Sequence, residues 1–316
     1  MSMETPETPW ERKLLTDLAT NYLKGQRRAA RWRLFFGILA LIWVAVLCYR
    51  LIFVFGADDD TKKTDGAGHT AVITFSGLID DSNNPTRKLL QGMEAAYEDP
   101  NTKAIVIDAN SPGGSPVLSG IAFDEIRRLR KVYPKIPVYT AVQDACASGC
   151  YYMATATDKI FVNKASLVGS IGVVTSSFGF TGAMEKLGIE RRLGTAGSNK
   201  AGNDPFSPIN PEAERIQGSL LSGIHQQFIA AVKLGRGARL KEAEDTFTGR
   251  VWLGEEAIPL GLVDGFGTPA SIARDIVKAP ELVDFSPVDD FERRISRYLG
   301  TSISESFQDF FEVKLR

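Results

Sequence analysis

Residues 103–132 read KAIVIDANSPGGSPVLSGIAFDEIRRLRKV. KAIVIDAN is a continuous apolar run that ends in a turn, the pattern of a strand buried on both faces of a parallel sheet. SPGGS supplies the turn, because Pro-Gly-Gly bends a chain readily. The rest repeats its apolar residues at helical spacing. Strand, turn and helix in that order make one βα unit.

The same alternation extends in both directions. Upstream, TAVITFSG reads as a strand, and PTRKLLQGMEAAYED as a helix with Leu89, Leu90, Met93 and Tyr97 on one side. Downstream, IPVYTAVQ reads as a strand, SGCYYMATAT as a helix and KIFVN as another strand. VGSIGVV and GIERRLGT add strand character, residues 210–236 read as a long helix, and residues 253–278 as shorter helices around GLVDG. Repeated βα units predict an α/β fold with helices packed on a sheet. No internal repeat is visible.

The chain has 316 residues and near charge balance, 37 Lys+Arg against 38 Asp+Glu. A nucleic-acid partner would normally demand a basic protein. Three cysteines make no disulfide framework. Cys48 lies in an apolar run, while Cys146 and Cys150 flank Ser148 with CxxxC spacing and no nearby histidine, a poor zinc pattern. Small buried side chains are the first reading of that pair, and a disulfide in an oxidising compartment is the second.

Residues 34–55, LFFGILALIWVAVLCYRLIFVF, are apolar apart from Arg50. At 1.5 Å per residue this run suffices for a hydrocarbon core of about 30 Å, and Arg50 sits near its end, where a long side chain can snorkel. Lys24, Arg27, Arg28, Arg31 and Arg33 precede it, and Asp58, Asp59 and Asp60 follow. That asymmetry predicts a signal anchor with a cytoplasmic N-terminus and the remainder across the membrane. A cleaved signal peptide fits less well, because its apolar core is shorter and Phe55 and Ala57 make a poor cleavage pair. The expected organisation is a cytoplasmic segment at 1–33, an anchor in membrane lipid at 34–56, a linker at 57–69, a folded domain at 70–280 and a helical tail at 281–316.

Two stretches could carry chemistry. In ACASGCYYMA, 145–154, Ser148 opens a helix directly after a strand. It reads as an N-cap, a common role for serine, or as a nucleophile beside the free N–H groups of a helix start. The glycines of SPGGS can turn N–H groups outward, as an oxyanion hole requires. The chain has only two histidines, His69 at the linker edge and His225 inside the long helix. A lysine whose charged form is disfavoured by burial can act as base instead. Lys200, in GTAGSNKAGNDPFSP, is a candidate by its loop position, and a solvated loop lysine is the plainer reading.

IDANSPGGS (107–115), DACASGCYYMA (144–154), SLVGSIGVV (166–174), the Lys200 loop and FTGRVWLGEEAIPLGLVDG (247–265), in this order and spacing, resemble the signal peptide peptidase A family. The resemblance covers about 70–280 and implies a Clp-protease/crotonase-like fold of repeated β-β-α units, preceded here by one transmembrane helix. It implies Ser148 as nucleophile, Lys200 as general base, Ser170 as the residue orienting the lysine, and Gly114, Gly113 and Gly149 as oxyanion donors. The chain looks like a short form with a single half, and short forms assemble into homo-oligomeric rings in which serine and lysine can come from neighbouring subunits. Peptides, including remnant signal peptides, are the implied substrates, on the extracytoplasmic side of a bacterial inner membrane. No metal, nucleotide or other cofactor is implied, and the sequence has no G-x-x-x-x-G-K-[ST] loop. Cys150 stands where members commonly have glycine, and Cys146 where they have a small residue. A silent peptide-binding scaffold and a crotonase-like acyl-CoA enzyme are the rival readings of the same fold.

Overall fold

The computed structural model describes residues 31–47, 68–82 and 84–287. Two compact units divide the chain, Met1–Lys63 with Phe291–Arg316, and Thr64–Asp290. In the first, residues 31–47 form one helix, α1, exposed along its length. Among the described residues no helix is long and apolar enough to cross a membrane. Residues 48–56 of the expected anchor lie outside them, as does the expected tail beyond residue 287.

The second unit is a mixed α/β sheet with mainly parallel strands. Its elements run β1 (His69–Ser76), α2 (Pro85–Glu98), β2 (Thr102–Ser111), α3 (Pro116–Val132), β3 (Val138–Ala147), α4 (Gly149–Ala154), β4 (Lys159–Val162), β5 (Leu167–Gly169), α5 (Thr181–Lys186), α6 (Pro211–Arg236), β6 (Val251–Leu253), α7 (Gly254–Ala257), β7 (Gly265–Phe266) and β8 (Leu282–Asp284). The strand order is β6-β5-β3-β2-β1-β8, with β4 beside β3 and β7 beside β4. All pairs are parallel except β5 with β6.

β2 lies at the centre, as its apolar run requires. Ile105, Ile107 and Ala109 face one core with Leu89 and Met93 of α2 and Ala122, Ile126 and Leu129 of α3. Val106 faces the other side, with Ala141, Phe161 and Ile272. Both helices start on sequence-encoded caps. Asn84 accepts the Arg87 N–H, Ser115 accepts the Leu118 N–H, and a proline opens each first turn.

β3 divides its partners. Its first half pairs with β4, Tyr139 opposite Lys159, and its end pairs with β5, Ala147 opposite Gly169. The sheet therefore splays at the C-terminal end of β3, where Ser148 leaves it. Residues 171–180 and 189–196 form no strand, contrary to the strand character read from VGSIGVV and GIERRLGT. Extended geometry ends at Ser170, whose φ is 50° and whose carbonyl accepts the Gly172 N–H at 2.9 Å. GIERRLGT has no partner strand among the described residues, and a strand is held by its partner. Conversely, Val251–Leu253, read at the edge of a helical region, is strand β6 paired antiparallel to β5.

Candidate active site

The end of β3 turns into α4 through Ser148, whose φ of 51° and ψ of −121° lie where residues other than glycine are costly to hold. Its N–H donates to the Gly169 carbonyl at 2.9 Å, and its carbonyl accepts the Tyr152 N–H at 2.9 Å. The side chain makes no capping hydrogen bond. Ser148 thus holds the N-cap position without capping, since its hydroxyl accepts no N–H of the helix it precedes. It lines a cavity of about 660 Å³.

Two glycines with unpaired N–H groups line the same cavity. Gly149 is the first residue of α4, so its N–H has no partner within the helix. The Gly114 N–H donates to no group among the described residues. The two glycines touch closely, since a Cβ built on Gly149 would lie 3.2 Å from the Gly114 nitrogen and 2.4 Å from Ser119 Oγ. Gly114 is fixed by its bridge to Ile79, where the Ser115 N–H donates to the Ile79 carbonyl and the Ile79 N–H to the Gly113 carbonyl. The N–H of Gly113 is engaged, donating to Ser111 Oγ at 3.2 Å. Gly113 contributes room instead: with φ 104°, it packs so tightly that a Cβ would come 2.7 Å from the Gly149 nitrogen.

Ser170 follows β5 directly, so the β3–β5 pairing sets it beside Ser148. Both serines have positive φ, both are half-buried, and both line the cavity. His225, read as an ordinary helix residue, reaches this loop from α6, its Nε2 lying 3.0 Å from the Ile171 carbonyl. Lys200 is not brought to this site within the chain. It lies in an exposed turn closed by its own N–H on the Gly197 carbonyl and is no part of the cavity wall.

The wall holds residues that sequence reading did not single out: Val117, Ile121 and Asp124 of α3, Tyr152 of α4, and Ile224 and Phe228 of α6. Burial, and secondarily the Asp124 carboxylate, raise the Tyr152 phenol above its ordinary range, so it stays neutral. One signal was available. Val117 and Ile121 are 70% and 49% exposed on the face of α3 opposite its core residues. An apolar i, i+4 pair on an outward face marks a surface meant for something else.

Cys146 and Cys150 are joined in a disulfide and wholly buried. This corrects the reading of two unlinked small side chains. The spacing did not reveal it, because bonding across four residues needs the reversal at Ser148.

An uncapped serine on a strand-to-helix elbow, beside two unpaired backbone N–H groups and a cavity lined by polar and apolar groups alike, is the kind of arrangement that a serine-type acyl-transfer hydrolase uses. Residues 130–282 match the model of peptidase family S49. "Putative signal peptide peptidase SppA" of Enterococcus faecium is 27% identical over 267 residues, covering 79% of this chain and 77% of that protein. Protease 4 of Haemophilus influenzae is 29% identical over 219 residues, 68% of this chain and 35% of that protein. A protein of Brucella melitensis named "Na(+)/H(+) antiporter NhaA" is 44% identical over 183 residues, 58% of this chain and 25% of that protein. The chain thus spans about a quarter of that relative's length, and most of that protein lies outside the match. These matches support membership of peptidase family S49, to which the signal peptide peptidase A relatives point as well.

Proposed function

We propose that the protein is a membrane-anchored serine endopeptidase of Clp-protease/crotonase-like fold, working through a Ser/Lys dyad. The observation that carries this reading is the Ser148 elbow, held at positive φ beside the N–H groups of Gly114 and Gly149. Ser148 is the nucleophile. Lys200 removes its proton, the oxygen attacks a peptide carbonyl, and the Gly114 and Gly149 N–H groups stabilise the oxyanion. The lysine returns the proton to the leaving amine, and water then clears the acyl-enzyme. Ser170, next to Ser148, orients the lysine.

Lys200 is absent from the cavity wall of its own chain. In this reading it comes from a neighbouring copy in a homo-oligomeric ring. Exposed apolar side chains that flank Lys200 in sequence, Leu193 at 44% and Ile209 at 76%, support a contact with another copy. The apolar run at 34–55 and its flanking charges support a single-pass anchor in a bacterial inner membrane, with the N-terminus cytoplasmic and the catalytic unit outside. Extended apolar peptides, among them remnant signal peptides, suit the Val117, Ile121 and Phe228 wall.

The test is hydrolysis of a fluorogenic peptide panel by the full chain, by Ser148→Ala, by Lys200→Ala and by the two variants mixed. Each variant alone loses turnover. Assembled together from subunits at equal amounts, they recover up to about a quarter of wild-type rate, because sites pairing an intact serine with a neighbour's intact lysine reappear. Full activity in Ser148→Ala overturns the reading. The absence of Lys200 from the cavity wall favours one rival, a silent peptide-binding scaffold, for which wild type binds the panel without cleaving it.

A further inference from the structure

The elbow that carries Ser148 is closed by a covalent bond. Cys146 is the last but one residue of β3, and Cys150 the second residue of α4. Their bond therefore spans Ala147, Ser148 and Gly149, the segment that holds both the nucleophile and an oxyanion donor. Five residues of extended chain would separate their end Cα atoms by roughly 13 Å. Here the ends lie 5.0 Å apart.

One end of this bond is firmly anchored. Cys146 pairs with Ser111 of β2 on one side and Val168 of β5 on the other. The other end is not self-supporting. α4 has only six residues, too few to hold a helix by its own hydrogen bonds. Besides packing, its ties are the Tyr151 hydroxyl on the Leu262 carbonyl at 2.7 Å and the bond from Cys150 to the sheet. The Gly149 N–H belongs to that first turn, so the bond fixes its direction relative to the Gly114 N–H.

We propose that the Cys146–Cys150 disulfide is a positioning element of the active site, holding Ser148 at positive φ and Gly149 in register with Gly114, so that reduction lowers turnover while leaving the domain folded. This rests on Ser148 being the nucleophile. A bridge of this kind suits an oxidising compartment, in agreement with a catalytic unit outside the cytoplasm. Silencing needs a small dithiol. The S–S bond breaks, two cysteine thiols form, and the two electrons and two protons come from the dithiol, which closes to its own disulfide.

The experiment uses the full chain, oxidised or incubated with dithiothreitol, with thiols counted by maleimide mass tagging. Peptide hydrolysis, Ser148 labelling by a fluorophosphonate and circular dichroism are then read on each form. On reduction, kcat falls about tenfold or more, KM stays within about twofold, labelling slows in parallel and the dichroism is unchanged. Reoxidation restores the rate. Cys146→Ala/Cys150→Ala behaves as the reduced form and no longer responds to dithiol. An unchanged kcat in the fully reduced protein overturns the proposal, and so does a loss that tracks loss of the native dichroism, which would make the bridge a general stabiliser. Ser148→Ala is run beside them. If it cleaves as wild type, the nucleophile assignment has failed, a result separate from either outcome for the bridge.

Discussion

At the scale of single residues, the site is built by backbone positions that tolerate almost no side chain. Gly114 has φ 149°, and a Cβ there would lie 2.2 Å from the Ile79 carbonyl oxygen, backbone against backbone. Gly114→Ala must therefore shift the bridge to Ile79 and turn its N–H away from the elbow. Loss of one oxyanion donor lowers kcat on the order of 100-fold. Peptide turnover at saturating substrate measures this, and a variant within a factor of about three of wild type would show that the Gly114 N–H does not face the oxyanion. Ser170 invites a gentler change. Ser170→Ala removes a hydroxyl beside Ser148 while keeping the φ of 50° no harder to hold. If Ser170 orients the base, the alkaline-rising limb of the pH–rate profile moves as kcat falls; a fall with an unmoved profile points to packing alone. Ser148 shows how far a sequence can go at this scale. The motif ACASGC raised two readings, N-cap and nucleophile, and the dihedral angles and the uncapped side chain count against the first.

At the scale of elements, the βα alternation could be read because each period has a local cause. β2 is apolar on both faces because it lies between two cores, and α2 and α3 carry their caps in the sequence. The limits of β5, the absence of strand at GIERRLGT and the existence of β6 could not be read, since these depend on partners distant in sequence. The two sides of α3 express the same division. Ala122, Phe123, Ile126 and Leu129 face the core, and that pattern was legible. Val117 and Ile121 line the cavity, and identifying what they face required α4 and α6 to be in place. Ile121→Ser tests that surface. The side chain is already 49% exposed, so the thermal midpoint moves little. KM for peptides with large apolar side chains rises severalfold, since part of the pocket's apolar contact is gone. An unchanged KM across apolar and polar peptides would place substrate elsewhere.

At the scale of the whole domain, one buried carboxylate ties the C-terminal end of α6 to the sheet. Arg236 is 1% exposed and gives Asp264 a hydrogen bond at 2.8 Å. Arg239 reaches the other carboxylate oxygen at 3.0 Å, and the Ile160 N–H of β4 donates to the first at 2.8 Å. Burial by itself raises the Asp264 pKa, but the hydrogen bonds and charges of these partners outweigh it and hold the carboxyl below its usual range. The folded pKa is therefore below the unfolded value of about 3.9. The resulting stabilisation is fully present above that value and is lost as pH falls through the folded pKa. Asp264→Asn leaves the Arg236 guanidinium buried without its counter-charge, at a cost of about 3–5 kcal/mol. For a domain of this size that corresponds to a thermal midpoint lower by roughly 10 °C at neutral pH. The difference between wild type and variant should then narrow below about pH 4, because the wild-type carboxylate is being neutralised there as well. Paired melts at pH 7 and pH 3 decide it. A gap of constant size would mean that Asp264 stabilises by shape and hydrogen bonding, with its charge contributing nothing.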